Sequence, residues 1–255
     1  MILEYLQYLF KAKNEHSLHS PFLFDFYTKI LKDRKGIAGF KEIENLRKHM
    51  LRDERMISIT DYGAGSKLNH SNQRKIKDIA KNSQKTAKFA QLFYRIIKYY
   101  HYHTVIDLGT SLGVTTSYLG LNDHTHVYTF EGCTATATIA QENFNQLGFK
   151  NIDLVVGDLN QTLAEQLAKM DTIDFAFFDA NHRYEPTVGY FEKCLTKIND
   201  DSCFIFDDIY WSEEMKMAWE TIRNHPEVTV SIDLFWVGIV FFRKKQPKQH
   251  FVLRF

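Results

Sequence analysis

Six acidic side chains, Asp107, Glu131, Asp158, Asp179, Asp207 and Asp208, recur at or just past the ends of successive apolar runs between residues 104 and 208. Open α/β sheets bind ligands beyond the carboxyl ends of their strands, so this succession predicts one rim that several carboxylates share. Gathering carboxylates is costly unless a cation or hydrogen-bond donors compensate, which marks the rim as a functional surface. The first acid has a distinctive setting, because Val105-Ile-Asp-Leu-Gly-Thr-Ser-Leu-Gly113 puts Gly109 in a turn and Gly113 at the opening of a helix. Glycine lets the backbone approach a ligand closely, helix N-terminal amides donate to its polar atoms, and Asp107 can accept from an ammonium group. At the second strand end Glu131 can take both hydroxyls of a ribose, and at the third Asp158, in Gly157-Asp-Leu159, can meet an adenine amino group. A dinucleotide fingerprint requires glycine at 109, 111 and 114; those positions hold Gly109, Ser111 and Val114, which disfavours a pyrophosphate ligand.

The elements that must carry these groups alternate. Short β-branched or aromatic runs at Thr104–Leu108, His126–Glu131, Ile152–Val156, Ile173–Asp179 and Cys203–Asp207 predict strands. Amphipathic stretches near Gly113–Leu121, Ala135–Leu147, Gln161–Met170, Glu185–Ile198 and Ser212–Asn224 predict the helices between and after them, hence βαβ units and a parallel sheet. Val228–Phe235 and Val237–Arg243 are too close together for a crossover helix and must pair antiparallel. The expected fold is α/β, a doubly wound, mostly parallel, Rossmann-like sheet of seven strands with an antiparallel last strand. Residues 1–100 are rich in Lys, Tyr, His and Phe, with helical periodicity in Phe22–Leu31 and Ala87–Tyr99, and predict a helical cap ahead of a domain over 101–255. Within the cap, Ile57–Lys67 ends in a Gly-x-Gly loop with no phosphate-loop continuation, and reads as a turn. His16 and His19 read as core or capping residues, the basic run from Arg74 to Lys88 as a solvated face, and the stripe Phe89, Phe93, Tyr94, Ile97 as core.

Composition narrows the class. The chain has 255 residues, 44% hydrophobic and 25% charged, with Lys plus Arg at 32 against Asp plus Glu at 31, so no global field draws it to nucleic acid or to anionic lipid. Cys133, Cys194 and Cys203 are far apart, without a disulfide or zinc spacing, which suits a reducing cytoplasm. The apolar start, Met1–Phe10, carries Glu4 and Gln7 and reads as an amphipathic helix rather than a secretory leader or a membrane span. That helix leaves a homodimer open.

From about Thr104 to Lys244 the chain resembles the class I S-adenosylmethionine-dependent methyltransferases. Asp107-Leu-Gly-Thr-Ser-Leu-Gly-Val-Thr-Thr, Phe130-Glu131-Gly132, Phe178-Asp179-Ala-Asn-His182-Arg-Tyr184-Glu185 and Phe206-Asp207-Asp208 are most similar to the catechol-type O-methyltransferase group. The resemblance implies that Asp107, Gly109 and Gly113 hold the methionine part of the cofactor, Glu131 the ribose, and Asp158 with Leu159 the adenine. Thr110, Ser111, Gly132 and Asp179 lie among the same cofactor-binding segments. It also implies that Asp179, Asp207 and Asp208 hold a magnesium ion that binds the acceptor and lowers the pKa of its hydroxyl. Here Asp208 stands where those relatives carry Asn.

Without a metal, His182 would serve as general base, a neutral imidazole taking the acceptor proton next to Asp179. Tyr184, Glu185 and Pro186 suit the start of the next helix, and Tyr210 and Trp211 suit an acceptor pocket. The expected activity is methyl transfer from S-adenosylmethionine to an oxygen, or else a nitrogen, of a small-molecule acceptor, with neither nucleic acid nor membrane as partner. The rivals are an NAD-dependent oxidoreductase, against which positions 111 and 114 and the closing hairpin speak, and a non-catalytic nucleoside-binding interaction module.

Overall fold

A computed structural model of the chain describes residues 2–14, 20–60, 72–82, 85–244 and 246–255. Helices α1 (Ile2–Lys11), α2 (Pro21–Asp25, continuing as a π-helical turn over Phe26–Leu31) and α3 (Ala38–Met50) come first. The hairpin β1 (Met56–Ser58) and β2 (Gln73–Lys75) follows, then α4 (Ile76–Asn82) and α5 (Ala87–Tyr100). Next come β3 (Thr104–Leu108), α6 (Val114–Leu119), β4 (His126–Glu131), α7 (Thr134–Leu147), β5 (Ile152–Val156) and α8 (Leu159–Leu167). The remainder is β6 (Ile173–Phe178), α9 (Tyr184–Leu195), β7 (Ile198–Asp207), α10 (Glu213–Asn224), β8 (Val230–Asp233), β9 (Val237–Phe241) and β10 (Gln249–Val252). The Gly-x-Gly loop at Gly63 and Gly65, with His16 and His19, lies outside the described residues. Two compact units result, Lys35–Gln166 and Met1–Arg34 with Leu167–Phe255.

In the unit Lys35–Gln166, β3, β4 and β5 run parallel, with Asp107 opposite Thr129 and Glu131 opposite Val156. Val105, Ile106, Leu108 and Val127 are fully buried, as strands covered on both faces must be. Helices from residues 38 to 100 build one apolar core with α6 and α7, in which Phe40, Leu46 and Tyr94 meet Leu112, Val114 and Tyr118. The stripe Phe89, Phe93, Tyr94, Ile97 is buried as its spacing predicts. The turn that opens α6 is therefore packed from below by helices that precede β3 in the chain.

The other unit orders its strands β10-β8-β9-β7-β6. Strands β6 and β7 are parallel, while β9 pairs antiparallel with both β7 and β8, so the predicted hairpin is present. Two corrections follow. Among the described residues the two units' parallel and mixed arrays hold eight strands rather than seven, and the last one is parallel: β10 lies beside β8 with His250 opposite Ser231. Four residues of mixed polarity show no readable period, and β10 is held instead by distant partners. Lys13 N donates to Val252 O at 2.8 Å and the Tyr8 hydroxyl to Leu253 O at 2.6 Å. Helix α10 starts where Ser212 caps it, its hydroxyl accepting from Met215 N with Glu213 and Glu214 in the first turn.

Candidate active site

Around the β3–α6 turn the backbone takes conformations that favour glycine, with φ of 111° at Gly109 and 79° at Gly113, and 49° at Ser111 between them. Gly109 N and Thr110 N both donate to Phe130 O, tying the turn to the end of β4. A Cβ at Gly113 would stand 2.6 Å from the Phe144 ring, so helix α7 itself demands glycine there. Asp107 is 1% exposed, and its Oδ2 accepts from the hydroxyls of Thr116 at 2.6 Å and Thr129 at 2.7 Å. Its other oxygen, Oδ1, is buried with no hydrogen-bond partner among the described residues. Burial raises the Asp107 pKa to about 6 against the pull of the two hydroxyls, and the Glu131 charge adds to the rise. A buried carboxylate with one free oxygen lacks a donor, and an ammonium group would supply it.

Glu131 is held by the chain's own amides. Its Oε2 accepts from Ser111 N at 2.8 Å and its Oε1 from Cys133 N at 2.9 Å, so one carboxylate joins the turns after β3 and β4. A carboxylate oxygen can accept from more than one donor, an amide and a hydroxyl among them. Gly132 lies between those anchor points. The Cys133 thiol accepts from Thr60 N at 3.4 Å, which brings the β1 end of the hairpin to the same turn. At the third strand end Gly157, with φ of 141°, donates to Glu131 O. Asp158 caps α8, its Oδ1 accepting from Asn160 N at 2.9 Å, and Leu159 begins that helix. Asp107, Gly109, Thr110, Ser111, Gly113, Glu131, Gly132, Asp158 and Leu159 are thus brought together by three adjacent strand ends of one unit.

In the other unit Asp179 directly follows β6, and Asn181 (φ 67°) and His182 (φ 38°) turn the chain in the left-handed region. His182 Nε2 lies 3.3 Å from Asp179 Oδ1. Burial disfavours the imidazolium, but the bond to Asp179 and the charges of Asp179, Asp207 and Asp208 outweigh it and raise the pKa to about 9. That rise favours the imidazolium as the ion-pair partner of Asp179 at neutral pH. Asp207 is buried at the end of β7, and Asp208 (φ 51°) donates its N–H to Trp236 O at 2.9 Å. Phe235 (φ 69°) precedes that carbonyl, and Asp208, Tyr210, Trp211, Phe235 and Trp236 line a small pocket. Four non-glycine residues in left-handed backbone at neighbouring strand ends are a concentration of strain of the kind that functional sites hold. Tyr184 and Glu185 open α9, with Tyr184 N donating to Glu214.

The magnesium expectation meets a different arrangement. Among the described residues no group of three or more His, Cys, Asp or Glu side chains comes together as a metal site, and Asp179 Oδ1 lies 3.3 Å from His182 Nε2. Asp179, Asp207 and Asp208 are therefore not grouped as metal ligands among the described residues. Several working residues escaped the sequence reading. Thr129 had a usable signal, since it precedes Glu131 by two and shares its strand face. Thr116, Cys133 and Trp236 act through a hydroxyl, an amide and a carbonyl, which no spacing rule marks.

Residues 106–209 match the family model of a methyltransferase domain. No curated protein matches the chain. Among solved structures, the SAH-bound Podospora anserina methyltransferase PaMTH1 is similar at 12% identity and a TM-score of 0.61, over 89% of this chain and 97% of that one. The Bacillus cereus O-methyltransferase in complex with SAH is similar at 14% identity and a TM-score of 0.57, over 82% and 92%. The O-methyltransferase TomG from Streptomyces achromogenes, involved in tomaymycin synthesis and in complex with SAM, aligns at 12% identity and a TM-score of 0.59, over 82% and 91%. The family match begins within the predicted turn, and the chain shares the fold of these methyltransferases.

Proposed function

We propose that the protein transfers a methyl group from S-adenosylmethionine to an oxygen of a small-molecule acceptor. The observation that carries this reading is Asp107, a buried carboxylate with one unpartnered oxygen, set in a glycine turn beside the amide-held carboxylate of Glu131. Asp107 would take the ammonium of the methionine part, Gly109 to Gly113 its backbone, Glu131 the ribose hydroxyls, and the Gly157–Leu159 segment the adenine. When bound, the cofactor supplies a methyl group already activated on a positive sulfur.

What remains for the chain is to position the acceptor, stabilise its oxygen as an anion and exclude water. His182, paired with Asp179, suits the second of these roles. Its imidazolium donates to an acceptor oxygen and favours the ionised form, while Asp179 fixes the ring. Tyr210, Trp211 and Trp236 would present aromatic surface to the acceptor. Asp179, Asp207 and Asp208 form no metal group among the described residues, and no step is assigned to a magnesium ion.

Thermal unfolding with S-adenosylhomocysteine or with a nicotinamide dinucleotide tests the cofactor assignment. Ligand at 100 times its dissociation constant adds about 2.7 kcal/mol. The expected result is stabilisation by S-adenosylhomocysteine alone, diminished in Glu131→Gln. Stabilisation by the dinucleotide alone would overturn the reading.

A further inference from the structure

Helix α1 is amphipathic, yet its apolar side faces water. Leu3, Leu6 and Phe10, spaced three and four apart on one side, are 68%, 47% and 90% exposed. On the opposite side Tyr8 is 6% exposed, stacked near Tyr5 and Phe235, and bonded to Leu253 O. A surface helix ordinarily turns its apolar stripe to the core. Here aromatic residues and a hydrogen bond fasten the polar-edged side, and the aliphatic side is left over.

Among the described residues, exposed basic side chains gather at the C-terminal end of the helix. Lys11 and Lys13 are exposed, and Arg254 joins them, its backbone N–H donating to Lys13 O and its guanidinium reaching Leu9 O at 3.5 Å. The one acid of the helix, Glu4, is paired with Lys216. Half-exposed Tyr5 and Trp236 flank the stripe through Phe235, aromatic types suited to the boundary between water and acyl chains. An apolar stripe edged by lysine, arginine and amphipathic aromatics has the composition of a helix lying in a lipid interface. No helix among the described residues is long and apolar enough to cross a membrane.

We propose that α1 docks this protein reversibly on an anionic lipid surface, with Leu3, Leu6 and Phe10 entering the headgroup boundary and Lys11, Lys13 and Arg254 meeting lipid phosphates and carboxylates. The alternative occupant is a second copy of the chain. Three side chains on a ten-residue helix fall short of the roughly 800 Å² per partner that a stable interface buries, whereas shallow lipid insertion needs no such area. The inference does not depend on the methyl-transfer reading.

Co-sedimentation of the full chain with vesicles of phosphatidylcholine, alone or with about one-third phosphatidylserine, tests it. Binding should require the anionic lipid and vanish at about 0.5 M salt, where the screening length is only a few ångströms. Leu6→Gln with Phe10→Gln should raise the half-saturating lipid concentration at least roughly tenfold. Lys11→Glu with Lys13→Glu should raise it by about the same factor or more, since each basic residue is worth roughly fivefold. Both pairs are exposed, so the thermal midpoints should not move. Failure to sediment, equal binding to neutral vesicles, or a dimer that Leu6→Gln with Phe10→Gln dissolves would each overturn the proposal.

Discussion

Asp107 and Thr129 stand directly opposite each other on β3 and β4, and the Thr129 hydroxyl donates to the Asp107 carboxylate at 2.7 Å. That bond uses the only proton Thr129 has, so in the 2.6 Å contact between Thr110 and Thr129 the Thr110 hydroxyl must be the donor. A directed chain from Thr110 through Thr129 thus ends on Asp107, with Thr116 donating from α6. The order of donors leaves the carboxylate anchored through one oxygen and open at the other.

Asp107→Asn should separate stability from binding. With its pKa raised from 3.8 to about 6, the folded protein binds this proton more tightly than the unfolded chain does. The resulting stability is fully present below about pH 3.8 and lost as pH rises through about 6. The neutral amide escapes that loss, so the ligand-free variant should be as stable as the parent or more so at pH 8, by up to about 3 kcal/mol. Calorimetric affinity for S-adenosylhomocysteine should fall by about tenfold or more, because the ammonium loses its charged partner. Unchanged affinity would remove Asp107 from the cofactor site.

Gly113→Ala carries two penalties, a left-handed backbone at φ 79° and a Cβ 2.6 Å from Phe144. Together they should lower stability by about 2–4 kcal/mol. Phe144→Leu in the same chain should recover only the steric part. Urea unfolding of the single and double variants measures both.

Gly238 sits on β9 with ordinary backbone angles but faces the Trp219 ring, which a Cβ would approach to 2.5 Å. Gly238→Ala should cost about 1–3 kcal/mol and shift tryptophan emission as Trp219 is displaced. Wild-type stability with an unmoved spectrum would contradict the packing of α10 on β9.

His250 links the terminal strand to its neighbours, with Nδ1 on the Ser231 hydroxyl at 2.8 Å and Nε2 on Arg223 at 2.7 Å. Arginine only donates, so Nε2 must accept, and the ring is neutral. Burial and then the Arg223 charge lower its pKa to about 4, with Glu220 pulling weakly the other way. The associated stability is present above about pH 6.5 and lost as pH falls toward 4, by less than about 1 kcal/mol because the ring is partly exposed. Hydrogen exchange in β10 should accelerate over that window, and His250→Gln should flatten the response.

Much of this protein was legible locally. A run such as Val105 to Leu108 needs burial on both faces, Asp107 to Gly113 needs a glycine turn, and Ser212 ahead of two glutamates needs a helix start; these follow from side-chain shape and backbone freedom within a few residues. The same locality located the strand-end carboxylates Asp107 and Glu131 and the closing hairpin of Val228–Phe235 and Val237–Arg243. Tertiary structure decided what depends on residues far apart in the chain. It gave Asp107 its two threonine donors and its raised pKa, fastened Glu131 with the amides of Ser111 and Cys133, and raised the His182 pKa by setting the ring against Asp179 near Asp207 and Asp208. It also added β10 as a parallel eighth strand and packed the helices from residues 38 to 100 under the first turn. Charge state, hydrogen-bond partner and strand neighbour are properties of an environment, and a linear pattern determines an environment only within the reach of one helix turn or one strand pleat.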